Sequence, residues 1–106
     1  MEYNVVWSKF AEQQVDDIFN FYIWKTKSYD VAKGIISRIL CAPDRLKSNS
    51  LLGAKELSLR DREVEYRYII ESHYKIIYSV DKKNYQIKIA DVFDTRQNPR
   101  KISRNK

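Results

Sequence analysis

Apolar and polar residues alternate with a period of two along three consecutive stretches in the last third of the chain. The stretches cover residues 64–71, 73–80 and 85–90, and each places large apolar side chains at every second position. Such alternation is typical of strands that bury one face. The pattern therefore predicts three consecutive strands in an antiparallel sheet, with one face covered and the other accessible.

The same alternation assigns three cations to the polar faces of these strands. Arg67 falls between Tyr66 and Tyr68, and Lys75 and Lys88 occupy equivalent positions in the next two strands. We expect all three cations to lie on the uncovered side of the sheet, which would then be a cationic face.

The first half of the chain predicts one strand and two amphipathic helices. Residues 2–7 indicate the strand, and Ser8 is placed to cap a helix whose apolar stripe continues to Tyr22. After a break around residues 26–30, apolar side chains recur at helical spacing until Pro43 ends the second helix.

A polar segment, residues 47–61, separates the helices from the alternating strands and indicates a loop with a short strand near 55–59. The predicted order of elements is β-α-α-β-β-β. Two adjacent helices joined by a tight turn form a hairpin. We therefore predict an α+β fold in which this helical hairpin packs on one face of an antiparallel sheet.

Composition predicts a single domain over residues 1–106. The chain is 43% hydrophobic and 13% aromatic, which is enough for a core, and it contains only 2 Gly and 2 Pro. It shows neither a leader pattern nor an apolar run that could span a bilayer, so we expect a cytoplasmic protein without a membrane partner. Cys41 has no cysteine partner and no neighbouring metal ligands, which indicates a buried structural thiol and no metal site.

Positive charge is concentrated in the second half of the chain. The net charge is +6, and residues 1–53 carry 7 Lys/Arg against 6 Asp/Glu whereas residues 54–106 carry 13 against 8. The last residues, about 99–106, form a basic tail without any acid. Such a field attracts nucleic acid, an acidic protein or an anionic surface, and it also favours solubility.

Specific residue runs accompany the alternation. They are Tyr-Arg-Tyr-Ile-Ile at 66–70, Tyr-Lys-Ile-Ile-Tyr at 74–78 and Asp-Thr-Arg-Gln-Asn-Pro at 94–99. These runs resemble the RelE/ParE toxins of bacterial type II toxin-antitoxin modules, and the closing run is most similar to the ParE, or plasmid-stabilisation, branch. The resemblance covers the length of the chain. It implies a toxin that arrests growth, adopts the β-α-α-β-β-β fold and forms a hetero-oligomer with a cognate antitoxin.

One branch of this family cleaves messenger RNA on the ribosome, with the ribose 2′-hydroxyl as nucleophile. That chemistry needs a base, an acid and cations beside the developing phosphorane charge, and it needs no cofactor. The resemblance makes Arg67 and Arg96 the catalytic candidates, with Lys55 and Lys75 in support. The chain lacks the Tyr or His that nuclease members usually carry near the C-terminus, since no aromatic residue or histidine follows Phe93.

The only histidine of the chain, His73, lies between the first two alternating strands. It is either a proton-transfer group of a nuclease or a polar residue of a solvated hairpin turn beside Glu71 and Ser72. The absence of an orienting partner in the sequence favours the hairpin turn.

The ParE-like branch instead binds DNA gyrase and traps it on cleaved DNA without hydrolysis of its own. By this resemblance the chain is not an enzyme, and its target-binding candidates are Arg96, Arg100, Lys101 and Arg104. We expect them to form a mobile basic end, the alternative being a frayed and solvated tail. A third interpretation is a non-toxic binding module with the same fold.

The antitoxin is expected to cover exposed aromatic residues and the cationic sheet face. Phe21 and Trp24 fall off the apolar stripe of the first helix, so more apolar area exists there than one face can bury. The predicted antitoxin-binding residues are Phe21, Trp24, Arg67, Lys75 and Lys88. Alternatively, the two aromatic residues pack against Tyr29 and close the end of the helical hairpin.

Overall fold

A five-stranded sheet and a helical hairpin form the two layers of the protein. The computed structural model describes residues 2–106. The strands are β1 (Asn4–Trp7), β2 (Ala54–Lys55), β3 (Arg67–Glu71), β4 (Tyr74–Asp81) and β5 (Gln86–Asp94), and the helices are α1 (Lys9–Thr26) and α2 (Tyr29–Cys41). This architecture confirms the predicted α+β fold. The predicted short strand near 55–59 is the two-residue β2, and a 3-10 helix at Leu57–Leu59 follows it.

The sheet is mixed rather than fully antiparallel. Its strand order is β1-β5-β4-β3-β2, and β1 runs parallel to β5 while the other neighbours are antiparallel. The chain between β1 and β5 contains both helices and the β3–β4 hairpin, and it is long enough to return the chain in the same direction. The first strand therefore lies beside the last one and runs parallel to it, whereas the sequence predicts an antiparallel sheet.

Serine hydroxyls begin both helices. The Ser8 hydroxyl accepts a hydrogen bond from the backbone N–H three residues later (3.0 Å), which confirms the predicted cap, and Ser28 does the same for α2 (3.3 Å). Lys27 ends α1 in the left-handed region with φ of 57°. Because Lys27 and Ser28 are the only residues between the helices, the hairpin turn is tight.

A β-bulge in β5 changes the face on which its residues lie. Ile77 pairs with Asp91 and Tyr78 pairs with Ile89, so Ala90 has no partner across the ladder. Residues before the bulge alternate so that Ile89 packs toward the helices. After the bulge Asp91 takes the face of its partner Ile77, which is the face turned away from the helices.

Both faces of the sheet carry a core. The larger core lies between the sheet and the helices, and its buried members include Ala11, Val15, Ile39, Ile69, Ile76, Tyr78, Ile87, Ile89 and Val92. A smaller core on the second face contains Leu59, Ile77, Phe93 and Ile102. The second face is thus covered in part by the 3-10 helices Leu57–Leu59 and Pro99–Ser103, contrary to the prediction of an uncovered face.

A further expectation from the sequence concerns the end of α2. Cys41, at the end of α2, is exposed, so the predicted buried thiol is wrong. The last helical turn leaves its side chain outside both cores, and a 3-10 helix at Ala42–Leu46 follows it. Among residues 2–106, neither helix combines the length and apolarity that a membrane span requires.

Candidate functional site

Arg67 lies on the helix-facing side of β3, opposite the face predicted for it. Its cross-strand partner is Tyr78, a residue of the larger core. The guanidinium donates a hydrogen bond to the carbonyl of Gly53 (2.8 Å) and pairs with Glu65 (3.2 Å), and the side chain is only 15% exposed. Arg67 therefore holds the loop before β2, and its roles as a catalytic or antitoxin-binding residue stay predictions.

Lys75 and Lys88 do lie on the second face, but both are ion-paired there. Lys75 Nζ is 2.8 Å from Glu56 Oε1 and 4.2 Å from the ring centroid of Tyr68. Burial raises the pKa of Glu56, and hydrogen bonds from Lys75 and its own turn outweigh that effect, so its pKa lies below the ordinary value. Lys88 pairs with Asp81 at 3.5 Å. The predicted cationic face is therefore largely neutralised.

Lys55 and Arg67 pair with the same carboxylate, that of Glu65. Lys55 Nζ is 3.3 Å from Glu65, and its hydrogen bond, more than the charge of Arg67, holds the pKa of Glu65 below the ordinary value. Lys55 and Arg67 also pair across β2 and β3. Both cations lie near the start of β3, where Arg67 pairs with Tyr78, and are therefore distant from the turn between β3 and β4.

Arg96 lies at the other end of the sheet, directly after β5. Its guanidinium makes two parallel contacts with the carboxylate of Asp94, at 3.0 and 2.8 Å, and its backbone N–H donates to the same carboxylate at 2.9 Å. The pKa of Asp94 is lowered chiefly by this hydrogen bond, and the pKa of Arg96 is raised by the same contact. Arg96 is thus separated from Arg67 and Lys55 by the length of the β3–β4 hairpin, so the four predicted nuclease cations do not converge.

Arg96 forms part of an open groove of about 290 Å³ beside α1, which we call the α1 groove. One wall comes from α1 and contains Gln14, Asp17, Ile18 and Phe21; the other follows β5 and contains Asp94, Arg96, Gln97 and Arg104. Tyr74 and Val92 form its base. The α1 groove combines apolar surface with charges of both signs.

A cluster of three residues beside Arg96 was not recognised in the sequence. His73 Nε2 is 3.5 Å from the hydroxyl of Tyr22, and the Tyr74 hydroxyl donates to that of Tyr22 at 3.4 Å. Burial, followed by the contact with Tyr22, raises the pKa of Tyr74. The sequence pattern assigns Tyr22 only to the apolar stripe of α1. A partly buried tyrosine hydroxyl usually needs a hydrogen-bond partner, and this was the only signal for the cluster in the sequence. It could not identify His73, which lies 51 positions away, as that partner.

The basic segment at 99–106 is docked on the sheet rather than free. Ile102 is 2% exposed and packs in the smaller core. Asp91 is fully buried and pairs with Arg104 at 3.1 Å and with Lys106 at 2.7 Å. Burial lowers the pKa of Lys106, and the contact with Asp91 opposes this effect. The expectation of a mobile or frayed basic end is therefore wrong, because an inward carboxylate and an apolar side chain hold the segment.

The four predicted target-binding cations divide into two pairs. Arg96 and Arg104 line the α1 groove, each beside its own carboxylate. Arg100 and Lys101 are exposed on the 3-10 helix Pro99–Ser103. Among the described residues, no group of three or more His, Cys, Asp or Glu side chains is arranged to hold a metal ion.

Phe21 and Trp24 lie at the end of α1 with 44% and 67% of their surface exposed. Tyr29 is 61% exposed and its ring contacts Phe19, with centroids 5.9 Å apart. The rings of Phe21 and Trp24 instead contact each other at 6.2 Å. These aromatic residues are therefore available at the surface of the helical hairpin.

The family of this chain follows from a comparison with known protein families. Residues 5–99 match the family model described as the ParE toxin of the type II toxin-antitoxin system, parDE. This chain belongs to the ParE toxin family. The predicted membership of the RelE/ParE superfamily, nearer to ParE, is thereby confirmed, and the ParE toxin described here is a type II toxin.

Two solved structures share the fold of this ParE toxin. The chromosomal ParDE system from P. aeruginosa aligns with a TM-score of 0.70 at 16% identity, covering 88% of this chain and 96% of that one. The RelBE2 toxin-antitoxin complex from Mycobacterium tuberculosis aligns with a TM-score of 0.59 at 14% identity, covering 89% and 99%. None of the curated proteins compared with this ParE toxin matches it.

Proposed function

We propose that this ParE-family toxin arrests growth in the cytoplasm by binding DNA gyrase, without catalysis of its own, and that a cognate antitoxin neutralises it. The observation that carries the proposal is the family match over residues 5–99. The aligned structures are a ParDE system and a RelBE2 toxin-antitoxin complex, which supports an antitoxin partner for this chain as well.

The state of the basic residues supports binding rather than phosphoryl chemistry. Each of the four cations that a nuclease would use is already paired with a carboxylate of this chain: Arg67 and Lys55 with Glu65, Lys75 with Glu56 and Arg96 with Asp94. A cation stabilises a developing phosphorane charge best when it is preorganised toward that charge. Cations bridged to their own carboxylates have less to offer a transition state.

The lining of the α1 groove supports a protein target rather than a nucleic acid. Asp17 would repel a phosphate backbone, whereas Ile18 and Phe21 offer apolar contact area. A mixed apolar and polar lining is typical of protein–protein interfaces. Arg100 and Lys101 are exposed on the 3-10 helix Pro99–Ser103, which comes shortly after the groove residue Arg96 in the chain. Their charges would contribute long-range attraction to an acidic partner.

A gyrase assay tests this proposal directly. Purified toxin is incubated with gyrase and supercoiled plasmid, and detergent with protease then reveals trapped cleavage complexes as linear DNA. We expect linear DNA in proportion to the toxin added. The double variant Arg100→Glu/Lys101→Glu should need about tenfold more toxin for the same effect because steering charges control association.

The double variant Lys82→Glu/Lys83→Glu is the matched control for this assay. It reverses two adjacent exposed lysines in the turn between β4 and β5, away from the α1 groove. It should behave like the unmodified toxin. Absence of linear DNA with active gyrase would contradict the proposal, and normal growth during strong expression of soluble protein would favour the non-toxic binding module.

A messenger RNA endoribonuclease is the second candidate, and the cluster of Tyr22, His73 and Tyr74 favours it. Two phenols and an imidazole beside Arg96 are groups that can exchange protons. If this activity exists, primer extension after induced expression will show transcripts cut at ribosome-occupied codons, and both His73→Gln and Tyr22→Phe will abolish the cuts. Tyr85→Phe, which alters a tyrosine of the β4–β5 turn, is the control. Intact transcripts would eliminate this candidate.

A further inference from the structure

A small pocket of about 170 Å³ lies where α1 and α2 meet the turn between β3 and β4. Polar side chains from all three parts of the fold line it: Tyr22 from α1, Arg38 from α2, and Glu71, Ser72 and His73 from the β3–β4 hairpin. We call this cavity the turn pocket. Sites for drug-sized ligands usually measure about 300–1,000 Å³, so the turn pocket fits a small ion or a single ester group.

Arg38 brings to the turn pocket a positive charge that no carboxylate neutralises. It is exposed on α2, and its Nη1 atom lies beside Gly34, 3.8 Å from the position that a Cβ would take there. Within residues 2–106, neither Arg38 nor Glu71 forms an ion pair, whereas Lys75 and Arg96 do. A guanidinium offers five N–H donors in a planar fork, which suits an oxyanion.

The His73 ring is held in place at the wall of the turn pocket. Its Nε2 is 3.5 Å from the Tyr22 hydroxyl, and its Nδ1 is 3.4 Å from the Ser72 hydroxyl. The His73 carbonyl accepts hydrogen bonds from the backbone N–H and the hydroxyl of Thr95, at 2.9 and 2.7 Å. An imidazole and two hydroxyls, all able to donate, therefore lie together in this pocket.

The backbone of Ser72 is unusual for its residue type. Its φ is 57°, in the left-handed region that residues other than Gly, Asn and Asp seldom adopt. Because Glu71 pairs with Tyr74 across the hairpin, only Ser72 and His73 form the turn. This tight turn places the Ser72 hydroxyl beside the His73 ring. Backbone strain of this kind is often retained at binding sites.

We propose that the turn pocket binds a phosphate group that keeps a proton, either inorganic phosphate or the terminal phosphate of a monoester. Arg38 would supply the positive charge, and the His73 ring and the hydroxyls of Tyr22 and Ser72 would donate hydrogen bonds to the phosphate oxygens. The inference goes beyond the proposed function and does not depend on which target the toxin binds.

Glu71 decides which anion the turn pocket selects. An ionised carboxylate accepts a hydrogen bond from the P–OH of a protonated phosphate, and it repels an oxyanion that carries no proton. Sulfate and the phosphodiesters of a nucleic-acid backbone have no such proton. The other carboxylate beyond Tyr74, that of Asp94, is already bound by Arg96 at 2.8 Å. We therefore expect the pocket to prefer phosphate over sulfate and a monoester over a diester.

Thermal unfolding of the full-length toxin tests the inference, because a ligand that binds only the folded state raises the unfolding midpoint. The probes are inorganic phosphate, glycerol phosphate as a monoester, dimethyl phosphate as a diester, and sulfate. All are compared at equal ionic strength and about pH 6, where a phosphate ester is partly protonated. Phosphate and glycerol phosphate should raise the midpoint, and the larger shift shows which of the two the pocket prefers. Dimethyl phosphate should leave it unchanged.

Three variants assign the effect to the turn pocket, with dissociation constants measured by phosphorus NMR and by competition with sulfate. Arg38→Gln should weaken phosphate binding about tenfold or more, because a charged donor is lost. Glu71→Gln should remove the preference for phosphate over sulfate, because an amide donates an N–H to either anion. Arg60→Gln changes an exposed arginine that lines a different pocket, and it should behave like the unmodified toxin.

The variants also separate specific binding from the general stabilisation that phosphate and sulfate give to folded proteins. General stabilisation raises the midpoint of Arg38→Gln as much as that of the unmodified toxin, whereas binding in the turn pocket does not. Because Arg38 lies outside both cores, its variant should fold, and circular dichroism checks this.

Three results would overturn the inference. The first is equal phosphate affinity in Arg38→Gln and the unmodified toxin, and the second is equal affinity of the unmodified toxin for phosphate and sulfate. The third is tighter binding of dimethyl phosphate than of glycerol phosphate, which would assign the turn pocket to a nucleic-acid backbone instead. None of these measurements involves gyrase, so failure of the proposed function and failure of this inference are distinguishable.

Discussion

The buried Tyr78 hydroxyl joins β4 to the loop before β2. It accepts a hydrogen bond from the N–H of Gly53 at 2.9 Å and donates to the carbonyl of Ser50 at 3.0 Å. A side chain at Gly53 would place its Cβ 2.6 Å from this hydroxyl and 2.5 Å from the carbonyl of Tyr68. Only glycine allows the loop to approach the sheet this closely.

We predict that Tyr78→Phe destabilises the protein by about 1–3 kcal/mol, because the buried N–H of Gly53 and the carbonyl of Ser50 lose their partner. Urea denaturation followed by circular dichroism measures the change. Tyr85→Phe, at a tyrosine that is 43% exposed, is the matched control and should leave the free energy of unfolding within error. Equal losses in both variants would contradict this account.

The pair of Glu56 and Lys75 predicts a specific response to acid. The folded pKa of Glu56 lies below its ordinary value of 4.5, so its contribution to stability is present above that pH and is lost as the pH falls through the folded pKa. In Glu56→Gln, the free energy of unfolding should therefore fall less steeply than in the unmodified protein between about pH 5 and pH 3. Denaturant titrations at several pH values test this, and parallel curves for the two proteins would refute it.

Strand β5 and the segment after it act as one element through Asp91. The bulge at Ala90 turns Asp91 away from the helices, where Arg104 and Lys106 reach it. The guanidinium of Arg104 also lies 5.3 Å from the ring of Phe10 and 5.2 Å from that of Phe93. The segment that covers the smaller core and forms part of the groove wall is thus held by a buried carboxylate in addition to Ile102.

We predict that Asp91→Asn destabilises the protein by about 3–5 kcal/mol, because the change leaves two cations in a buried site without their counter-charge. Asp81→Asn, which breaks the more exposed pair with Lys88, should cost about 1 kcal/mol or less. Chemical denaturation of both variants gives the comparison. Similar small losses would show that the C-terminal segment is held mainly by Ile102.

At the scale of the whole molecule, the structure separates residues that support the fold from those at the proposed binding surfaces. Arg67, Lys55 and Glu65 form a charged group around β2, while the α1 groove lies along α1. Loss of Arg67 should therefore affect stability and not target binding.

We predict that Arg67→Gln lowers the midpoint of thermal unfolding but traps gyrase normally per folded molecule. Arg96→Gln should reduce trapping about tenfold while changing stability little, because the Arg96 side chain is 56% exposed. The measurement is the gyrase assay at a temperature where circular dichroism shows both variants folded. Loss of trapping in Arg67→Gln under these conditions would refute the separation.

The larger pattern of the fold was predictable because it depends on local periodicity. The helices, the Ser8 cap and the three long strands follow from the spacing of apolar residues in windows of ten to twenty residues. The direction of β1, the face of Arg67 and the docking of residues 99–106 were mispredicted. The direction of β1 depends on the long connection between β1 and β5. The face of Arg67 and the docking of residues 99–106 depend on a register or a bulge, since one extra residue in a strand moves every following side chain to the other face.

The sequence by itself determined the element order, the family and the excess of positive charge, since all three are properties of residue type and spacing. Only the tertiary structure decided which charges remain free. Carboxylates distant in sequence pair with Lys75 and Arg104, while Lys25, Lys27 and Lys33, near the turn between α1 and α2, lie beside aromatic rings instead. Ion pairing acts over a few ångströms in space, and no pattern along the chain specifies which distant residues meet.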